Sequence, residues 1–197
     1  SEATCWAVVT DTTSHKKLAI GDRHLSPTAA LVDPVLTLAL PADITAATGI
    51  DALTHSIEAY IGALSNPISD LLALESIRLV SAFLSRAVQN GMDLEARQGM
   101  MLASTLGGIA INSADVAGVH CVSEGMGSLY DAPHGVINAI LLPYFMDYWL
   151  EGCRERFARI AEALQGKPLP EEAVERVQIL VQSLKFPALT EIGVKEE

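Results

Sequence analysis

Residues 49–60 read Gly-Ile-Asp-Ala-Leu-Thr-His-Ser-Ile-Glu-Ala-Tyr, and set an aspartate and a histidine, Asp51 and His55, four positions apart in a mostly apolar run. Ile50, Leu53, Ile57, Ile61 and Leu64 recur at helical spacing, which predicts a helix opening at Leu40-Pro41-Ala42-Asp43. In such a helix Asp51 and His55 share one face, within reach of a common point. A surface Asp–His pair joined only by a hydrogen bond has the same spacing, so this stretch fixes the fold class before it fixes a function.

Upstream of this helix the period is that of strands. Thr4 to Thr10 is β-rich, Asp11-Thr12-Thr13-Ser14 is turn-like and Lys17 to Ile20 extends again; Ala29 to Asp33 is expected to form a third short strand ended by Pro34. Downstream nearly everything is helical. Asn66-Pro67-Ile68-Ser69-Asp70 breaks the chain and starts a second helix carrying Leu71, Leu74, Ile77, Leu79 and Leu84, which ends in Gln89-Asn90-Gly91-Met92-Asp93. Leu94 to about Ser113 follows, and its small residues Ala103 to Ala110 predict a central helix on which another backbone packs closely. Further helices are expected from near Pro133, over Arg154 to Leu164, and around Val174, Val177, Leu180, Val181 and Leu184. The chain therefore reads as mainly α with a few N-terminal strands, its single composition shift dividing residues 1–40 from 41–197.

With 197 residues, half of them apolar, the chain can bury a sizeable core. Its net charge of −11 disfavours nucleic acid and anionic membrane surfaces as partners. No apolar run reaches the roughly 18 residues of a spanning helix, and no signal peptide is expected. Cys5, Cys121 and Cys153 are odd in number and widely spaced, which fits inert or buried thiols in a reduced, cytoplasmic setting. The first residue is Ser and the chain opens directly on a strand-like run, so the natural protein is expected to begin further upstream.

Residues 118–135 hold the second informative cluster, Gly-Val-His-Cys-Val-Ser-Glu-Gly-Met-Gly-Ser-Leu-Tyr-Asp-Ala-Pro-His-Gly. His120 and His134 are expected on either side of a helix and a glycine-rich turn; Pro133 suits the first turn of the next helix, with Asp131 or Ala132 at its cap. Either histidine alone is also compatible with a core imidazole. Taken together, three of the five histidines in the chain fall in these two segments beside Asp51. One carboxylate and three imidazoles are a complete donor set for a divalent transition metal, suited to Fe(II), Zn or Ni, and no thiolate set accompanies them.

Gly49 to Tyr60 resembles the pattern G-[IV]-D-A-L-x-H-A-[IL]-E-A-Y, and His120 to Pro143 resembles H-x-x-x-H-x-[LM]-G-x-x-[YF]-x-x-P-H-G-x-x-N-A-[IL]-L-L-P. These are signatures of the iron-containing (group III) alcohol dehydrogenases. Ser1 to Thr4, Leu25-Ser26-Pro27 and Val32 to Thr37 are similar to flanking segments of the same family, so the resemblance covers essentially the whole chain. It implies the helical domain of a dehydroquinate synthase-like fold, with residues 1–40 a remnant of the dinucleotide-binding domain and residues 41–197 a metal-binding domain truncated at its C-terminus. It further implies Asp51, His55, His120 and His134 as ligands of Fe(II) or Zn, NAD(P) as hydride carrier, a small primary or secondary alcohol or its carbonyl counterpart as substrate, and a homo-oligomer.

Lys17 matches a family lysine beside the dinucleotide, although Lys16 is adjacent and a solvated surface lysine looks the same in sequence. One position departs from the pattern: Glu124 stands where the family usually has a second histidine. Near a divalent cation its ionised form is favoured, which makes it a candidate fifth ligand, proton acceptor or partner of a ligating histidine. The chain contains no glycine-rich phosphate turn; Gly107-Gly108 falls inside a helical pattern and reads as packing. Hence this chain alone is expected to hold metal without catalysing hydride transfer. A decayed metal-binding domain and a dehydroquinate synthase-like lyase are the alternatives.

Overall fold

The computed structural model describes residues 3–13 and 16–194. An antiparallel hairpin, β1 (Trp6–Asp11) and β2 (Lys16–Gly21), precedes seven helices: α1 (Ala42–Ile61), α2 (Pro67–Gln89), α3 (Leu94–Ala114), α4 (Gly118–Tyr130), α5 (His134–Leu150), α6 (Arg154–Ala163) and α7 (Pro170–Leu184). The mainly α expectation holds, and each expected helix is present. The expected third strand is not. Residues 29–33 have no regular structure, Leu31 is 92% exposed, and the Asp33 carboxylate accepts from the Val35 N–H to open a 3-10 turn at Pro34. Without a neighbouring strand, a β-prone run has no ladder to join.

The core is built around α1, whose Ile50, Leu53 and Ile57 are fully buried with Ile77, Val80 and Leu84 of α2. The break between these helices is made by Asn66, whose side chain accepts from the Ile68 and Ser69 N–H groups while Ser69 Oγ accepts from the Asn66 N–H. That reciprocal cap fixes where α2 starts. On the third side, α3 approaches α1 closely enough that a Cβ on Gly107 would lie 2.7 Å from Ser56 Oγ and 3.3 Å from the Ala52 carbonyl oxygen. The Ser56 and Ser76 hydroxyls are 2.7 Å apart, and Ser76 donates to the Ala103 carbonyl, so the small residues of α3 admit a buried hydroxyl bridge across three helices.

Arg156 of α6 donates to both carboxylate oxygens of Asp70 and lies over the Tyr60 ring, tying α6 to the α1–α2 junction. The hairpin is clamped from the other side. Asn112 of α3 accepts from the Cys5 N–H and donates to the Ala3 carbonyl, and Ser128 of α4 accepts from the Lys17 N–H. These bonds hold the hairpin against α3 and α4. No single helix among the described residues is long and apolar enough to cross a membrane. Cys5, Cys121 and Cys153 are all free thiols; of the inert-or-buried expectation the burial half fails, since Cys121 is exposed and the others are half-buried, Cys153 against the rim of the core.

Candidate metal centre

Asp51 and His55 leave α1 on the same face, with Asp51 Oδ2 3.7 Å from His55 Nδ1. Opposite them stands His120, in the first turn of α4, its Nε2 3.6 Å from Asp51 Oδ1. One potential ligand atom from each of Asp51, His55 and His120 lies within 4.8 Å of the others. His134, the first residue of α5, brings its Nε2 to 3.4 Å from Asp51 Oδ1. All four predicted donors therefore meet around one carboxylate, although the mutually closest set is the first three. The rings are packed together: His55 stacks on His120 at a centroid distance of 4.4 Å, and His120 and His134 are 5.2 Å apart.

The local sequence explains how His134 arrives there. A Cβ on Gly135 would come 2.5 Å from the Ala47 carbonyl oxygen, so only glycine lets the start of α5 press against α1. The connection before it differs from the expected glycine-rich turn. Gly125 and Gly127 lie within α4, which runs to Tyr130, and the reversal is made by Asp131 in the left-handed conformation at φ 50°. Pro133 is the N-cap of α5 rather than its first-turn residue, and neither Asp131 nor Ala132 caps it. Asp131 tolerates positive φ at modest cost, so the turn needs no glycine.

Two residues of the centre were not singled out by sequence reasoning. Glu58, one turn beyond His55, is fully buried; its Oε1 accepts from the Val119 N–H at 2.7 Å and its Oε2 lies 2.5 Å from His120 Nδ1. Asn138, one turn beyond His134, is also fully buried. Its Nδ2 donates to Asp51 Oδ1 at 2.7 Å and lies 3.1 Å from His134 Nε2 and 3.4 Å from His120 Nε2. The available signal for both was an acid or amide inside an otherwise apolar helical face, at the i+3 or i+4 position of a proposed ligand.

The donor chemistry fits a divalent transition metal. Three candidate donor atoms converge on one amide nitrogen, a weak electropositive group, while Asn138 Oδ1 is buried with no hydrogen-bond partner among the described residues. Acceptors crowded around one amide N–H beside an unpartnered buried oxygen form an arrangement that a cation would satisfy. The electrostatics agree. Burial works against the Asp51 carboxylate, but His55, His120 and His134 outweigh it and hold its pKa well below the usual value. Burial lowers His55 to about 4, keeping it neutral, with Asp51 opposing and the other imidazoles adding. Burial also disfavours the His120 cation, but Asp51 and Glu58 overcome this and push it up to about 9.

A cavity of about 230 Å³ opens beside these imidazoles, lined by His55, His120, His134 and Glu124 and walled by apolar groups that include Trp6 and Val8 of β1 and Ile111 of α3. Glu124 thus faces the centre, and no hydrogen bond is formed by its carboxylate among the described residues. Lys17 is placed elsewhere: its Nζ packs over Gly127, about two helical turns along α4 from His120, and it does not line the cavity.

Comparison with known proteins follows the same lines. Residues 45–197 match the model of the Fe-containing alcohol dehydrogenase family, C-terminal. Across the whole chain, 42% of residues are identical to alcohol dehydrogenase 4 of Schizosaccharomyces pombe and 37% to the NAD-dependent methanol dehydrogenase of Bacillus methanolicus, covering 48% and 54% of those proteins. The crystal structure of a 1,3-propanediol oxidoreductase superposes with a TM-score of 0.92 at 40% identity, over 98% of this chain and 52% of that one. The chain thus spans about half the length of these relatives.

Proposed function

Because the chain belongs to the Fe-containing alcohol dehydrogenase family, we propose that it is the metal- and substrate-holding part of an NAD(P)-dependent oxidoreductase. Its reaction class is hydride transfer between a small primary or secondary alcohol, or the corresponding aldehyde or ketone, and NAD(P). The convergence of Asp51, His55 and His120 ligand atoms within 4.8 Å carries this reading. Asp51, His55, His120 and His134 would hold Fe(II) or Zn, and a metal bound there supplies Lewis acidity toward an alcohol or carbonyl oxygen.

The chain's own residues do the remaining work. Asp51 is ionised and His55 neutral in the folded chain, so both present lone pairs without first losing a proton. Trp6, Val8, Ala19, Ile111 and Val116 wall the cavity with apolar surface, which limits water and accommodates a short alkyl chain beside the histidines. Glu124 is assigned as the carboxylate that accepts the alcohol proton, since it lines the cavity and forms no hydrogen bond among the described residues. Lys17 is assigned to the dinucleotide side together with residues 1–40, and residues 41–197 to the metal domain. A reducing, cytoplasmic setting accords with three free cysteines.

Metal analysis of the purified chain after anaerobic reconstitution with Fe(II) or zinc tests this reading. Bound metal is expected in the wild type and lost in Asp51→Ala and His134→Ala variants that remain folded; equal metal in all three, or none in the wild type, refutes it. The chain contains no glycine-rich phosphate turn, and the proposal includes its inability to couple NADH oxidation to aldehyde reduction alone. Clear turnover by the isolated chain overturns that part.

A further inference from the structure

Glu58 is the residue whose burial the metal ligands alone do not explain. It is completely enclosed, and no arginine or lysine pairs with it among the described residues. Enclosing a carboxylate costs several kcal/mol unless it is well bonded, so an apolar residue would serve core packing at lower cost. Its two oxygens are both committed to α4. Oε1 accepts from Val119 N–H at 2.7 Å, and Oε2 meets His120 Nδ1 at 2.5 Å. The N-cap of α4, Ala117, contributes no side-chain bond, so Glu58 caps that helix from α1 and places a negative charge at its N-terminus.

Oε2, as an acceptor, requires the proton of His120 on Nδ1. The lone pair of the neutral ring is then on Nε2, the atom that faces Asp51 Oδ1. We propose that Glu58 is a positioning residue for the metal centre: it sets the tautomer and ring orientation of His120 and anchors the turn of α4 that carries it. A ligating imidazole held through its other nitrogen by a carboxylate is a stronger and better-aimed donor. The inference rests on the metal reading given above and adds to it a fifth side chain that touches no metal.

Glu58→Gln separates this role from helix capping. Glutamine has the same shape but one acceptor and one donor end. With its oxygen toward Val119 N–H it preserves the cap and turns its NH₂ toward His120 Nδ1, which drives the ring proton to Nε2 and blocks the donor atom. Zinc affinity of the full chain, measured by chelator competition, is expected to fall about 10- to 100-fold while circular dichroism and the unfolding midpoint show a folded protein. Unchanged affinity in a folded variant overturns the role of Glu58 and leaves the metal reading intact; absence of zinc binding by the wild type overturns both. A second measurement needs no variant. In the zinc-loaded wild type with ¹⁵N-labelled histidine, the His120 Nδ1 proton should resonate far downfield and exchange slowly with water. Exchange as fast as that of a free, solvent-exposed imidazole overturns the inference.

Discussion

Zinc titrated into the metal-free chain at pH 7 should displace a proton from His120. Burial disfavours the imidazolium, but the carboxylates of Asp51 and Glu58 outweigh burial and raise its pKa to about 9. At pH 7 only about 1% of His120 is then neutral, so the apparent affinity is weaker than the intrinsic one by about 100-fold, or ~2.7 kcal/mol. Asp51 is ionised and His55, at about 4, is neutral throughout this range, so neither adds to the effect. The apparent dissociation constant should therefore fall about tenfold per unit between about pH 6 and pH 8, and level off near pH 9. Calorimetry in two buffers of different ionisation enthalpy should show proton release on binding. An affinity independent of pH over that range, with identical heats in both buffers, would refute the assignment of a carboxylate-stabilised His120 cation. The same shifts act on folding. His120, raised in the folded state, contributes stability that is full below its unfolded value and lost as pH rises through about 9; His55, depressed, contributes stability lost as pH falls through about 4.

Three further outcomes are expected. Glu124→Gln should leave zinc affinity unchanged, because Glu124 lines the cavity without joining the converging donors; a tenfold loss by chelator competition would make it a ligand instead. Gly107→Val should destabilise the chain by about 1–3 kcal/mol in urea unfolding, since its Cβ would meet Ser56 Oγ at 2.7 Å, and a neutral result would show that α3 can shift away from α1. Ile57→Ala removes a fully enclosed side chain beside His55 and Glu58 and should cost about 2–5 kcal/mol, read from the same unfolding curves.

Much of the candidate metal centre was legible because its first half is local. An aspartate and a histidine four apart on a helix must share a face, whatever surrounds them. The break at Asn66-Pro67 and the small residues around Gly107 were likewise readable, since a cap and a close helix approach both leave a signature in residue type. The glycine-rich run of α4 misled for a physical reason. Glycine permits a turn without requiring one, and here Gly127 makes room for the Lys17 side chain within an unbroken helix. Residues 29–33 have the composition of a strand but no partner, and pairing is a property of two segments.

By itself, then, the sequence determined the helical class, the position of most helices but not the end of α4 or the cap of α5, and the four candidate donors, because period, caps and motif spacing act over a few residues. Only the tertiary structure decided that His120 and His134 meet Asp51, that Glu58 is enclosed against His120 Nδ1, that Asn138 aims its amide into the donor set, and that Lys17 lies away from the cavity. These depend on how α4 and α5 pack against α1, and the energy of a buried charge or an orphaned oxygen depends on every neighbour that excludes water from it.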